Sequence, residues 1–362
     1  MKRLMMIILM TLFPLTCYAQ SWQQTLEAEF DLVETFDQLQ DWKGGAINGE
    51  ATTNLPTKIG GGDSIWNFYT YWSGSPSPND WITNHGSSYV WQGTKSLRME
   101  VDLGGDSSAK TGPSRFGTYF GTDTADGVDP YSSSGIVTSG YRGDVYLFYM
   151  VKFHNNAFPG SFGNYEYFNY YKFNVLSLGF TAVSSPQEGS NTYGAANIHT
   201  NITTGASYNN HLRHKLQWYC EAGWPAVEHT TWVSGSDGAD LDTYVDQEKW
   251  SGIEIHVHRG AAGSSDGYQE YWIYDEQGNA NYGGITPSQM YVPSDKDWGF
   301  NKFFFGGNLS FDTTGLDSSY YVDDFIIDDQ RIGTKYFQLL SGSPSPTPNP
   351  QPPVFLRIKE IN

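Results

Sequence analysis

Cysteine is nearly absent from this chain of 362 residues, which holds only Cys17 and Cys220. If a leader carrying Cys17 is removed, Cys220 has no internal partner, so a disulfide framework is excluded. Stability must then come from a large core or from bound ions. Long hydrophobic runs are also missing. The one sustained run, Leu4 to Leu15, is shorter than the ~20 apolar residues a membrane-spanning helix needs. Lys2 and Arg3 precede it and Ala19 closes a Cys-x-Ala site, so residues 1–19 read as a secretory signal peptide and the mature protein as secreted or periplasmic. Lipidation at Cys17 is the poorer reading, because Pro-Leu-Thr before it makes a weak site.

Positive charge is scarce as well. Lys and Arg number 21 against 39 Asp and Glu, a formal charge of −18. That excludes nucleic acid and anionic membrane as partners, since either needs a broad basic surface. Recognisable Ser-His-Asp, P-loop and dinucleotide motifs are absent too.

What the chain does have is Gly (40), Tyr (25), Phe (21) and Trp (12), with few helix-forming runs. This favours strands joined by long loops. Alternating segments recur at 96–103, 145–153, 172–180, 197–203, 214–220, 252–259, 268–275, 302–307 and 320–329, many separated by DG, NG or GG turns. No repeat or second linker interrupts residues 20–340. The expected fold is all-β, a single two-sheet antiparallel sandwich of the jelly-roll type. Residues 341–353, SGSPSPTPNPQPP, form a Pro/Ser-rich linker. Residues 354–362 are either a docking strand or the stub of a further module.

The stretch EFDLVE, Glu29 to Glu34, resembles the E-x-D-x-x-E signature of laminarinase-type jelly-roll glucanases, which implies a pair of carboxyls ~5 Å apart for retaining hydrolysis. Its position near the start of the chain and Phe30 within it depart from that family. The competing reading is a solvated acidic edge strand, followed by TFDQLQDW as the opening strand of the roll. A second resemblance covers roughly Leu97 to Gly333. It is carried by Val151 to Phe153, by Lys172 to Leu176, by W-x-x-I-E at Trp250, Ile253 and Glu254, by Phe303 to Gly307 and by Tyr321 to Ile327. Together these resemble the concanavalin A-like jelly rolls of secreted polysaccharide lyases, particularly the alginate and glucuronan lyase groups. The resemblance implies β-elimination on a uronic-acid polymer by a Lys, His and Tyr constellation.

Alternation sorts the polar residues into faces. His211, Arg213, Lys215, Gln217 and Tyr219 fall together, as do Asn197, His199 and Asn201, then Glu254, His256 and His258, and finally Tyr170, Lys172 and Asn174. Should these faces line one sheet, they form a polar groove suited to β-elimination. That reaction needs the substrate carboxylate neutralised and the developing enolate stabilised, with His or Tyr moving the proton. His199 or Tyr274 is the expected base and acid, with Lys172, Arg115 and Asn197 around the carboxylate. Arg213, Lys215, Gln217, Tyr219, His256, His258 and Trp272 are expected substrate contacts, the last by stacking on sugar rings. The bland alternatives are a structural His199, a solvated 211–219 face, an Arg115 paired with one of the many acids, and Trp272 and Tyr274 packed in the core.

A zinc site at Glu254, His256 and His258 lacks a remote third ligand. Calcium, in a structural role, fits Asp123, Asp126 and Asp129, or Asp237, Asp240 and Asp242. The partner is expected to be a polysaccharide, cut by a lyase. The alternatives are a lectin-like binding module and a jelly-roll glycoside hydrolase.

Overall fold

The computed structural model describes residues 21–44, 49–51, 54–71, 80–102, 114–121, 140–154, 170–178, 196–203, 211–220, 244–246, 248–261, 264, 266–290, 299–306, 309–310 and 317–342. The expected signal peptide at residues 1–19, the expected linker beyond Gly342 and both calcium candidates, Asp123, Asp126 and Asp129 and Asp237, Asp240 and Asp242, lie outside them.

In chain order the elements are α1 (Trp22–Glu27), β1 (Leu32–Glu34), β2 (Trp42–Lys43), β3 (Gly49–Ala51), β4 (Phe68–Tyr71), β5 (Trp81–Thr83), β6 (Ser96–Asp102), β7 (Ser114–Tyr119), β8 (Asp144–Phe153), β9 (Tyr170–Leu178) and β10 (Ala196–Thr203). They continue with β11 (His211–Cys220), β12 (Tyr244–Asp246), β13 (Trp250–His258), β14 (Gly267–Tyr274), β15 (Ala280–Met290), β16 (Phe300–Gly306), β17 (Leu309–Ser310), β18 (Asp317–Asp328) and α2 (Gly333–Leu340).

The strands form two antiparallel sheets, as the alternation predicts. The first runs β15-β14-β13-β8-β18-β6-β5-β2, with β1 also on β18; the second runs β12-β11-β10-β9-β16-β7-β4-β3, with β17 on β9. This is a jelly-roll sandwich. Its inner layer is made of every second residue. Val145, Leu147, Tyr149 and Val151 of β8 and Ile253, Ile255 and Val257 of β13 meet Phe116, Leu176, Phe303 and Phe305 of the second sheet in one buried cluster. At about 25 cal/mol per Å² of apolar surface, burial on this scale takes the place of the missing disulfides.

Among the described residues, two short helices accompany the sheets. Ser21 and Gln24 make a reciprocal capping box at the start of α1, which satisfies backbone donors that a short helix would otherwise leave open. Both helices cover the outer face of the first sheet, where Leu26, Phe148, Trp250, Tyr274, Ile332 and Tyr336 form a second buried cluster. The buried carboxyls Asp323 and Asp324 fasten this layer. Asp324 Oδ2 accepts from Trp22 Nε1 at 2.9 Å and Tyr336 Oη at 2.5 Å, while Asp323 Oδ2 accepts from the Trp91 amide at 2.9 Å.

The opening of the chain also corrects three expectations. Strand β1 is not a solvated acidic edge, since Leu32, Val33 and Glu34 are all buried against β18. Nor do the EFDLVE carboxyls face one another: Glu29 pairs with Lys335 at 2.8 Å, Asp31 accepts from Tyr141 Oη at 3.0 Å, and Glu34 accepts from the Phe36 amide at 2.8 Å. The glucanase carboxylate pair is therefore not formed. TFDQLQDW is a turn rather than a strand until Trp42, with Phe36 at φ 62°.

Candidate active site

The second sheet turns Phe116, Leu176, Phe303 and Phe305 to the core, so the residues alternating with them belong to its opposite face. Backbone register arranges that face in cross-strand rows. One row runs Phe68, Gly117, Phe304, Val175, His199 and Gln217 through β4, β7, β16, β9, β10 and β11. The next runs Tyr119, Lys302, Ser177, Asn197 and Tyr219. On the other side of the first row, Thr70, Arg115 and Gly306 are paired on β4, β7 and β16, while Lys172, Asn201 and Lys215 are paired on β9, β10 and β11. Arg213 pairs with Thr203 at the far end of β10.

Seven expected residues thus fall on three adjacent strands, Lys172 on β9, Asn197 and His199 on β10, and Arg213, Lys215, Gln217 and Tyr219 on β11. Arg115 and Tyr219 belong to the same rows. The expected grouping of Tyr170, Lys172 and Asn174 fails at Asn174, which is buried and donates through Nδ2 to the Tyr149 hydroxyl in the core. A register shift in the β9–β10 pairing, between Thr200 and Asn201, aligns Lys172 with Asn201. Such an irregularity breaks the strict two-residue alternation from which the grouping was read.

Two neighbours on this face escaped sequence reasoning. Lys302 is buried and donates through Nζ to Tyr119 Oη at 2.7 Å. The ammonium lies 4.2 Å from the Phe68 ring centroid, 4.4 Å from that of Tyr119 and 5.4 Å from that of Phe304. Arg115 is also buried, its guanidinium 5.4 Å from the Phe304 ring. Gly117 makes this packing possible, because a Cβ there would come within 2.4 Å of both Phe68 Cζ and the Phe303 carbonyl oxygen. The signal was present in the alternation of SRFGTY and FNKFFFG.

The remaining expected residues lie on the first sheet, which corrects the idea of a single groove. Tyr274 is buried beneath α2, donating to Glu254 Oε2 at 2.6 Å and accepting from Arg331 Nη2 at 3.1 Å. Burial and the adjacent Glu254 charge push its hydroxyl pKa well up. It shares neither sheet nor face with His199, so the two cannot act as one acid–base pair. Trp272 is only 9% exposed, with Arg331 4.2 Å from its ring centroid, so too little of the ring is open for a sugar to stack on it.

His256 and His258 are fixed on that same outer face. His256 Nδ1 lies 2.7 Å from Glu270 Oε2 and its Nε2 2.8 Å from Asp144 Oδ1, which also meets His258 Nδ1 at 2.9 Å. Burial pushes the Asp144 carboxyl up, but the hydrogen bonds from His256 and His258 outweigh it and hold Asp144 below its ordinary value. Glu254 is turned away to Tyr274 and to the Ile332 amide. Glu254, His256 and His258 therefore do not converge on one point. Among the described residues, the carboxylates that do converge are Asp31, Asp328 and Asp329, with oxygens within 4.8 Å of one another. Asp31 is bonded to Tyr141, and Asp328 accepts from the amides of Asp31 and Gln330.

No protein-family model matches the chain, and no curated protein matches it in sequence. Solved structures of similar build include the marine PL-14 alginate lyase from Aplysia kurodai, at 17% identity over 69% of this chain and 86% of that chain, with TM-score 0.43. An alginate lyase from Chlorella virus aligns at 11% identity over 73% of this chain and 93% of the other, TM-score 0.38. The binding domain of Paraclostridial Mosquitocidal Protein 1 also aligns, at 11% identity over 84% of this chain and 52% of that chain, with TM-score 0.34. At such distances the likeness is one of build, and the chemistry has to be read from the residues themselves.

Proposed function

We propose that the protein is a secreted polysaccharide lyase that cleaves a uronate-containing chain by β-elimination on the outer face of the second sheet. The observation that supports this reading is the cross-strand register, which aligns His199 with Gln217, Asn197 with Tyr219, and Asn201 with both Lys172 and Lys215. Residues opposite one another on paired strands share a face. A basic and amide-rich face is unusual on a chain of charge −18, and it suits an anionic polymer.

In this mechanism Arg115, Lys172 and Asn197 neutralise the substrate carboxylate, which makes the adjacent C–H acidic and stabilises the enolate formed when it is lost. His199 takes that proton. The C–O bond to the neighbouring sugar then breaks, its electrons leave with the oxygen, and a C=C bond forms in conjugation with the carboxylate. The proton that His199 took is then given to the leaving oxygen, which completes the step and restores the neutral imidazole. Tyr119 and Lys302, in the row of Asn197, are buried and hydrogen-bonded to each other, and they brace this face.

The test is ultraviolet absorbance of the conjugated product while the mature protein is incubated with alginate, glucuronan, ulvan and pectate. A rise with one polymer establishes elimination and names the substrate class. A flat trace with every polymer, accompanied by retention on a polysaccharide column, replaces the lyase with a carbohydrate-binding module.

A further inference from the structure

The outer face of the first sheet carries a second ordered row. Register aligns Lys43, Trp81, Arg98, Tyr321, Lys152 and Trp250 across β2, β5, β6, β18, β8 and β13. Cation and aromatic ring alternate at every step. At one end Trp250 is buried under the helical layer. At the other the row is open, with Trp81 37% exposed and Lys43 exposed beside it.

The Lys43 ammonium lies 4.7 Å from the Trp81 ring centroid. Arg98 is held 3.5 Å from the largely buried Glu100. Beyond it, Tyr89 stacks on Tyr321 at 4.3 Å, Lys152 lies 5.1 Å from the Tyr89 ring, and His85 meets Tyr321 edge-on at 5.2 Å. The carboxylates nearby are engaged: Asp41 with Lys95 at 2.8 Å, and Glu248 with Lys152 at 3.8 Å.

We infer that Trp81, flanked by Lys43 and Arg98, is a second carbohydrate-binding site, on the opposite side of the sandwich from the candidate active face, and that its ligand is an acidic polysaccharide. An exposed indole offers a flat apolar surface to the C–H face of a pyranose. The two cations beside it complement a uronate carboxylate, Arg98 through a planar fork matched to that group. Tyr321 and Lys152 are buried, Tyr321 packed against Tyr89 and His85, so the ligand meets only the open end of the row, at Lys43, Trp81 and Arg98. The choice of an acidic polymer rests in part on the proposed activity; the aromatic and cationic surface does not. A bound polymer at this site keeps the protein on its substrate between cleavage events, raising the effective concentration at the other face.

Affinity electrophoresis through gels cast with alginate or glucuronan, against gels cast with a neutral glucan, tests the site. All proteins carry His199→Ala so that the polymer is not consumed. Retardation of the parent in acidic gels, with Trp81→Ala weakening apparent affinity roughly tenfold, is the expected result. Lys43→Gln is the second variant, with a smaller loss, and thermal melts confirm that each is folded. Equal retardation of the parent and both folded variants overturns the inference, as does retardation by the neutral glucan alone. Binding is read without turnover and product formation is read separately in the protein that keeps His199, so a Trp81-dependent shift, when the protein with His199 forms no unsaturated product, rejects the lyase reading and keeps this site. The converse result, product formation with no Trp81 dependence, rejects the site and keeps the lyase.

Discussion

Lys302 donates to the Tyr119 hydroxyl at 2.7 Å from the neighbouring strand, and both side chains are buried among Phe68 and Phe304. Replacing Lys302 by Met removes the donor and leaves the phenol to find another partner, at a cost of about 1–3 kcal/mol. A lowered melting temperature together with a fall in kcat on the polymer is expected. Unchanged kcat in a folded Lys302→Met protein would remove this pair from the active face.

His199→Ala is expected to reduce the rate of product formation by about 10²–10⁴-fold, the usual contribution of a positioned general base. The melting temperature should barely move. A variant that retains most of its turnover returns His199 to a structural role.

Tyr274→Phe has the opposite signature. The hydroxyl is bonded to Glu254 inside the helical layer, so its loss leaves a buried carboxyl short of a partner and costs about 1–3 kcal/mol of stability. Turnover per folded molecule stays at the parent level. A catalytic defect at unchanged stability would contradict the placement of Tyr274.

Stability should fall as pH rises. Burial raises Glu34 to about 7 and Asp80 to about 6, and it raises Asp323 and Asp324 as well. Such carboxyls bind their protons more tightly folded than unfolded, where the value is near ~4. Their contribution is full below the unfolded value and is lost as pH climbs through the folded one. Urea midpoints measured at about pH 5 and about pH 8 should therefore favour the lower pH, and the reverse order would show that these groups are ionised in the folded protein at little cost.

Gly117→Ala places a methyl group 2.4 Å from the Phe303 carbonyl oxygen and from the Phe68 ring. Overpacking of this kind costs about 1–3 kcal/mol. Because Phe68 and Phe304 also flank Lys302, the melting temperature and kcat are expected to fall together.

The sequence by itself determined the sandwich. Each of the nine alternating segments contains or overlaps a strand, because a strand buried on one face must place an apolar residue at every second position. It also sorted His199 with Asn197, and Gln217 with Lys215, since those relationships stay within one strand. Helix α2 and the capping box of α1 escaped because they are short and are held by packing on the sheet more than by propensity.

Only the tertiary structure decided which strands share a sheet. Alternation says that His199 and His256 each point away from a core, but it carries no information about which sheet each strand joins. Long-range pairing puts β10 beside β9 and β11, and β13 beside β8 and β14, so Tyr274, Trp272, His256 and His258 were separated from the face they were expected to complete. Lys302 and Tyr119, 183 residues apart in the chain, were brought together by the same pairing, which local periodicity cannot encode.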